Sequence, residues 1–73
     1  MIDVQTATQI AEQSLNNHFQ LDNDWVMVVD MREDEDTYWF MYNSRHYMET
    51  GDLMSAIVEG HPIGIRKQDG SVV

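Results

Sequence analysis

The chain has 73 residues, no cysteine, and thirteen acidic residues against four basic ones, which gives a formal net charge of −9. A chain of this length forms a single domain, 1–73, and buries only about 60 % of the surface that its unfolded form exposes. Without cysteine there are no disulfides or thiolate metal sites. The negative charge disfavours binding to nucleic acid or anionic membranes. Because the sequence shows neither a membrane span nor a secretory signal, we expect a cytoplasmic protein.

The first predicted element is an amphipathic helix from Asp3 to Phe19. Its apolar residues recur at three- and four-residue steps, as on a helix with one buried face: Val4, Ala7, Ile10, Ala11, Leu15 and Phe19. Two N-terminal caps fit the sequence, either Asp3, or Thr6 with Gln9 as a capping box. The asparagine pair at 16 and 17 favours helix formation poorly, so we expect the helix to fray near it.

Two apolar segments follow, 25–31 (WVMVVDM) and 37–43 (TYWFMYN), and the residues between them are mostly charged. Their β-branched and aromatic composition predicts an antiparallel hairpin. Alternation in the first strand places Trp25, Met27, Val29 and Met31 on one face and Val26, Val28, Asp30 and Arg32 on the other. Both faces are apolar in the middle, so we expect the helix on one side. On the other side we expect the segment after Asn43 or another protein.

The last third of the chain predicts a short helix and two strands. Leu53, Met54, Ile57 and Val58 have helical spacing, with Asp52 as N-cap and Gly60 as C-terminal stop. Residues 63–67 alternate as a third strand, and an Asp-Gly turn at 69–70 leads into a short fourth strand. The predicted fold class is α+β, an N-terminal helix packed on a small antiparallel sheet in the order α-β-β-α-β-β.

Four segments carry a family resemblance: Tyr38–Ser44 (YWFMYNS), Tyr47–Asp52 (YMETGD), Gly60–Ile63 (GHPI) and Lys67–Gly70 (KQDG). With the N-terminal helix they resemble, over nearly the whole chain, the immunity protein 35 family of bacteria. These are small domains that often sit beside polymorphic toxins. The chain departs from the family pattern at His61, where the family tends to have Asn. The resemblance implies a non-catalytic immunity protein that binds and neutralises a cognate toxin.

The residues of catalytic and metal-binding types do not form a strong constellation. Ser44 is the one serine with a histidine nearby, and in a strand the side chains of Ser44 and His46 point the same way, so a contact between them is geometrically possible. A simple turn pairing is the alternative. The histidines at 18, 46 and 61 lack metal-ligand spacing, and the acidic run Glu33–Asp36 lacks the layout of a calcium loop. We therefore predict no enzymatic activity, no cofactor and no metal.

An acidic surface that carries aromatic side chains suits a basic protein partner, through charge at the rim and large side chains at the centre. We expect the contact on the carboxylates of the hairpin turn, and on tyrosines if the face they share is exposed. The candidate partner-binding residues are Asp30, Glu33, Asp34, Glu35, Asp36, Tyr38, Tyr42 and Tyr47. Trp39 and Phe40 are assigned to the core.

Two other classes of function remain open at this stage. One is a phage-type inhibitor, such as an anti-CRISPR or DNA-mimic protein, which small size and negative charge also suggest. A DNA mimic should carry carboxylates in rows at phosphate-like spacing, whereas the densest acids here lie in one turn. The other is a chaperone-like domain that forms a homodimer through its aromatic face.

Overall fold

The computed structural model describes residues 1–21, 23–57 and 61–73. The elements are helix α1 (Val4–Phe19), strands β1 (Val26–Glu33) and β2 (Thr37–Ser44), helix α2 (Arg45–Thr50), a 3₁₀ turn (Leu53–Ser55) and strand β3 (Ile63–Arg66). The strands form an antiparallel sheet in the order β1-β2-β3, and α1 packs on one of its faces. The α+β class, the N-terminal helix and the hairpin are confirmed.

Helix α1 is capped by the first of the two predicted residues. The Asp3 carboxylate accepts a hydrogen bond from the Thr6 N–H at 2.8 Å, so one of the unpaired donors of the first turn is satisfied. The helix ends shortly after the asparagine pair, as expected: it continues to Phe19 and is capped by Gln20, which has a left-handed φ of 47°. Its fully buried residues lie four apart on one stripe: Ala7, Ala11 and Leu15.

The hydrophobic core lies between this stripe and the sheet. Ala7 and Ala11 of the helix meet Tyr38 and Phe40 of β2 and Ile65 of β3. The two alanines let the helix backbone approach the rings closely, because a methyl group occupies little of the space between helix and sheet. Burial of these apolar surfaces is the main stabilising contribution available to the domain.

A β-bulge changes which residues of β1 face the helix. Val28 pairs with Tyr42 and Asp30 pairs with Met41, so Val29 is an extra residue with no partner of its own. Val28 and Met31 therefore both pack against the core. The prediction that Met31 shares a face with Trp25, Met27 and Val29 is wrong. The physical reason is that uninterrupted alternation would place the Asp30 carboxylate, rather than an apolar side chain, under the helix.

The second helix lies earlier than predicted. Helix α2 begins directly after β2, where the Ser44 hydroxyl accepts a hydrogen bond from the Tyr47 N–H at 3.1 Å. Asp52 is an N-cap, as predicted, but it caps only the single turn Leu53–Ser55. Leu53 and Met54 are 78 % and 93 % exposed, so no packing supports a longer helix there. The remainder of the prediction, Val58 and the stop at Gly60, lies outside the described residues.

The predicted fourth strand is reduced to one bridge. Val72 pairs with Ile65 across the turn that begins after β3, and the Val73 N–H donates to the Gly64 carbonyl at 2.8 Å. The predicted order of six elements is thus matched only in part. In the described residues, the sheet has three strands and a C-terminal bridge.

Candidate functional site

The turn between β1 and β2 presents the carboxylates of Glu33–Asp36 at one end of the sheet, and all four residues are exposed. Two of these carboxylates are held by side chains of the fold. Glu33 Oε2 lies 2.6 Å from Lys67 Nζ, and Asp34 Oδ2 accepts a hydrogen bond from the Trp39 indole Nε1–H at 3.1 Å. We call residues 33–36 the acidic turn.

Backbone bonds also fix the acidic turn. The Asp34 N–H donates to the Thr37 carbonyl at 2.8 Å, and the Lys67 N–H donates to the Asp36 carbonyl at 2.9 Å. The Asp36 carboxylate accepts from the Thr37 hydroxyl at 3.1 Å. The turn is therefore tied both to its own hairpin and to the segment after β3, which limits its freedom before any partner arrives.

Lys67 neutralises charge from inside the molecule. Its side chain is buried, and its ammonium group lies 5.0 Å from the centroid of the Tyr38 ring as well as beside Glu33. The hydrogen bond to Glu33 raises the pKa of Lys67 above its ordinary value, against the opposing effect of burial. This cation is thus already engaged and adds little positive charge to the outer surface.

The structure does not gather the three candidate tyrosines on one exposed face with the acidic turn. Tyr38 is only 9 % exposed and packs beside Phe40, with ring centroids 6.4 Å apart. Tyr42 is half-buried against Phe19 of α1, at 5.8 Å between centroids. Tyr47 lies on α2 and is half-buried. The exposed shared face on which this expectation depended is absent for Tyr38, because α1 covers that side of the sheet.

Helix α1 does not cover the opposite side of the sheet, which we call the open face. By register its residues are Met27, Asp30 and Arg32 of β1, Trp39, Met41 and Asn43 of β2, and Gly64 and Arg66 of β3. Asp30 is therefore a candidate residue outside the acidic turn that shares the open face with the large, partly exposed side chains of Trp39 and Met41. The bulge in β1 puts it there.

The prediction that Trp39 belongs to the core is wrong. The residue lies outside the core cluster and is half-buried on the open face, opposite Gly64 in the register. The indole covers Gly64 so closely that a Cβ at that position would lie 2.6 Å from Trp39 Cζ3. Its alternation with Phe40 was a usable signal, since two adjacent strand residues face opposite sides of a sheet.

A second cluster joins the start of β1 to α2. The Asp24 carboxylate accepts from the Trp25 N–H at 2.8 Å and lies 3.3 Å from Arg45 Nε, whose guanidinium stacks 4.4 Å above the Trp25 ring. Burial opposes the charge on Asp24, but hydrogen bonds from the N–H groups of Trp25 and His46, together with Arg45, lower its pKa overall. This cluster fixes the far end of the hairpin.

In the structure, the side chains of Ser44 and His46 contact two other residues, Ser55 and Asp52. The buried Ser44 hydroxyl donates to the Ser55 carbonyl at 2.7 Å, so its proton points to the backbone. His46 Nε2 lies 3.4 Å from an Asp52 carboxylate oxygen. These contacts hold the segment after β2 in place. They fit a structural role in a turn better than the roles of a nucleophile and its base.

A groove of about 280 Å³ runs between the C-terminal half of α1 and β3. Its walls include His18 and Phe19 on one side and His61 and Val72 on the other. Over residues 1–21, 23–57 and 61–73, no group of three or more histidine, aspartate or glutamate side chains is placed to hold a metal ion. None of the helices in these ranges has both the length and the apolarity to cross a membrane.

The fold and these contacts define a small α+β protein with a fixed acidic turn at one end of an open sheet face. Comparison with protein-family models, with curated proteins and with solved structures gives no match. The resemblance to the immunity protein 35 family and the role that it implies therefore stay predictions.

Proposed function

We propose that the chain is a non-catalytic immunity protein, which binds a toxin domain of basic surface and neutralises it by stoichiometric occupation. The observation that supports this most is the acidic turn, where three of four neighbouring carboxylates are held in place: Glu33 by Lys67, Asp34 by Trp39 and Asp36 by Thr37. A carboxylate group that is ordered before binding loses less entropy on association than a flexible tail would.

The distribution of the cations supports the same proposal. Two of the four basic side chains are engaged internally, Lys67 with Glu33, and Arg45 with Asp24 and Glu49. The whole chain keeps a formal net charge of −9. Such a field speeds encounters with a basic partner, and the effect weakens as salt increases.

The most direct test is co-expression with the product of the adjacent open reading frame. We expect that product to be toxic alone, to be rescued by this chain, and to purify with it as a complex of fixed stoichiometry. Absence of both toxicity and complex would remove the proposal.

The contribution of the acidic turn is tested by two charge reversals of equal size. Glu35→Lys changes the turn, whereas Glu49→Lys makes the same change on α2, beyond the other end of the hairpin. We expect Glu35→Lys to slow association at low salt about fivefold and to flatten its salt dependence, with a smaller effect from Glu49→Lys. Equal rates for the two variants would show that only total charge matters.

A second candidate, self-association, is favoured by one observation. Met41 on the open face is 40 % exposed, and Trp39 beside it is only half-buried. A homodimer would cover both. Sedimentation of the isolated chain at increasing concentration distinguishes the candidates, because a monomer at all concentrations excludes the dimer, and the same measurement at high salt removes the repulsion between two chains of charge −9.

A further inference from the structure

Part of each edge of the sheet is already occupied. On β1, the Asn16 side chain accepts from the Val26 N–H at 2.7 Å and donates to the Val26 carbonyl at 3.1 Å, while the Glu12 carboxylate accepts from the Val28 N–H at 3.2 Å. These bonds replace those of a neighbouring strand. On β3, the C-terminal bridge pairs Val72 with Ile65. Strand addition by a partner would have to displace these contacts.

The open face, in contrast, offers side chains that are ready for contact. Trp39 is held on one side by Gly64 and at its Nε1–H by Asp34, so the indole is fixed in orientation. Met41 lies next to it on the same strand and same face and is 40 % exposed. A rigid aromatic side chain beside a flexible methionine is a typical composition for the centre of a protein interface.

Charge decides between the possible occupants of this face. Asp30 and Asp34 lie beside Trp39 and Met41, with the rest of the acidic turn at the end of the same hairpin. A second copy would bring another net charge of −9 against this region, and like charges across an interface are unfavourable. Arg32 and Arg66 also lie on the face, but Asp30 and the four acidic residues at its border outnumber them. The matching surface is therefore basic overall, with acceptors opposite the two arginines.

The area that a stable interface buries also indicates a surface that joins the open face to the acidic turn. A standard interface covers roughly 800 Å² per partner, about a sixth of the 5111 Å² that this chain exposes. A patch of that size centred on Trp39 reaches the acidic turn, because Asp34 is bonded directly to the indole. We infer that the open face around Trp39 and Met41, with the acidic turn at its border, is the surface on which the basic toxin docks. This inference rests on the proposed function.

Paired lysine substitutions test the face. Met41→Lys places a cation on the open face, and Val4→Lys places one at the first residue of α1, away from the open face, at nearly equal exposure, 42 % against 40 %. Affinity for the product of the adjacent open reading frame, the probe of the co-expression test, is measured by calorimetry after circular dichroism has shown that each variant is folded. We expect Met41→Lys to weaken binding about thirtyfold or more and Val4→Lys less than about threefold.

The sign of the new charge tests the basic character of the partner. Met41→Glu removes the same apolar contact as Met41→Lys, and we expect it to bind about fivefold more tightly than the lysine variant. If Met41→Lys does not fold, Met41→Gln against Val4→Gln makes the same comparison without charge.

The outcomes separate the two proposals. A complex that Met41→Lys and Val4→Lys weaken equally overturns the open face and leaves the immunity function standing. No complex with the wild-type chain removes both. A wild-type homodimer that Met41→Lys dissociates assigns the face to a second copy and overturns the choice of a basic partner.

Discussion

The two faces of the sheet are made from alternate residues of the same strands, yet they have different environments. Phe40 and Ile65, on the side covered by α1, are fully buried. Met41, the next residue after Phe40, remains 40 % exposed on the open face. The difference arises because Ala7 and Ala11 bring the helix onto one side only. We expect the covered face to account for most of the stability, because its apolar side chains form the buried core.

The largest expected effect comes from truncating the side chains of two adjacent residues, one on each face. We expect Phe40→Ala to lower the free energy of unfolding by about 3–5 kcal/mol, because it leaves a cavity in the core. Met41→Ala should cost less than about 1 kcal/mol. Urea denaturation of both variants measures the difference. Similar losses would mean that the open face contributes to stability as much as the covered one.

A second comparison concerns the attachment of the helix to the edge of β1. Asn16→Ala removes both hydrogen bonds to Val26, a residue that is 1 % exposed, and leaves backbone groups unpaired. We expect a loss of about 1–3 kcal/mol in the free energy of unfolding. Asn17→Ala, at the exposed neighbouring residue, is the control and should stay within about 0.5 kcal/mol. Equal effects would show that helix propensity, rather than the edge contact, is responsible.

A third test concerns the packing of Trp39 on Gly64 at the open face. A methyl group added by Gly64→Ala meets Trp39 at 2.6 Å and Val73 at 2.9 Å, so the indole must move. We expect a loss of about 1–2 kcal/mol and an altered tryptophan fluorescence spectrum. In a double-mutant cycle with Trp39→Phe, the cost of the methyl group should fall, since the smaller ring lacks the clashing atoms. An additive cycle would contradict the close contact between Trp39 and Gly64.

The smallest expected effect is a change in the pH dependence of stability, and it concerns Asp24 at the start of β1. The pKa of Asp24 is lowered in the folded chain by hydrogen bonds and Arg45, despite the opposing effect of burial. Its stabilising contribution is therefore present above the unfolded-state pKa, roughly 4, and is lost as the pH falls through the lower folded-state pKa. We expect the stability difference between wild type and Asp24→Asn to shrink below about pH 4. A difference that is constant from neutral to acid pH would exclude this linkage.

Local sequence signals were enough to predict the elements whose residues interact with near neighbours. The helix to Phe19, the hairpin and the cap at Asp52 depend on spacing and turn chemistry within a few residues, and Asp3 was one of the two helix caps that fitted the sequence. The acidic turn was found in the same way, because charged residues between two apolar strands indicate a turn.

The sequence by itself therefore determined the fold class, the main helix, the hairpin and the acidic turn. Only the tertiary structure decided which side of the sheet stays open and which residues lie on it. The bulge at Val29 moves Asp30 onto the open face and Met31 towards the core, and Gly64, distant in sequence, leaves the space on that face into which the Trp39 ring packs. Such outcomes depend on contacts between separate strands and α1, which alternation along one strand cannot specify.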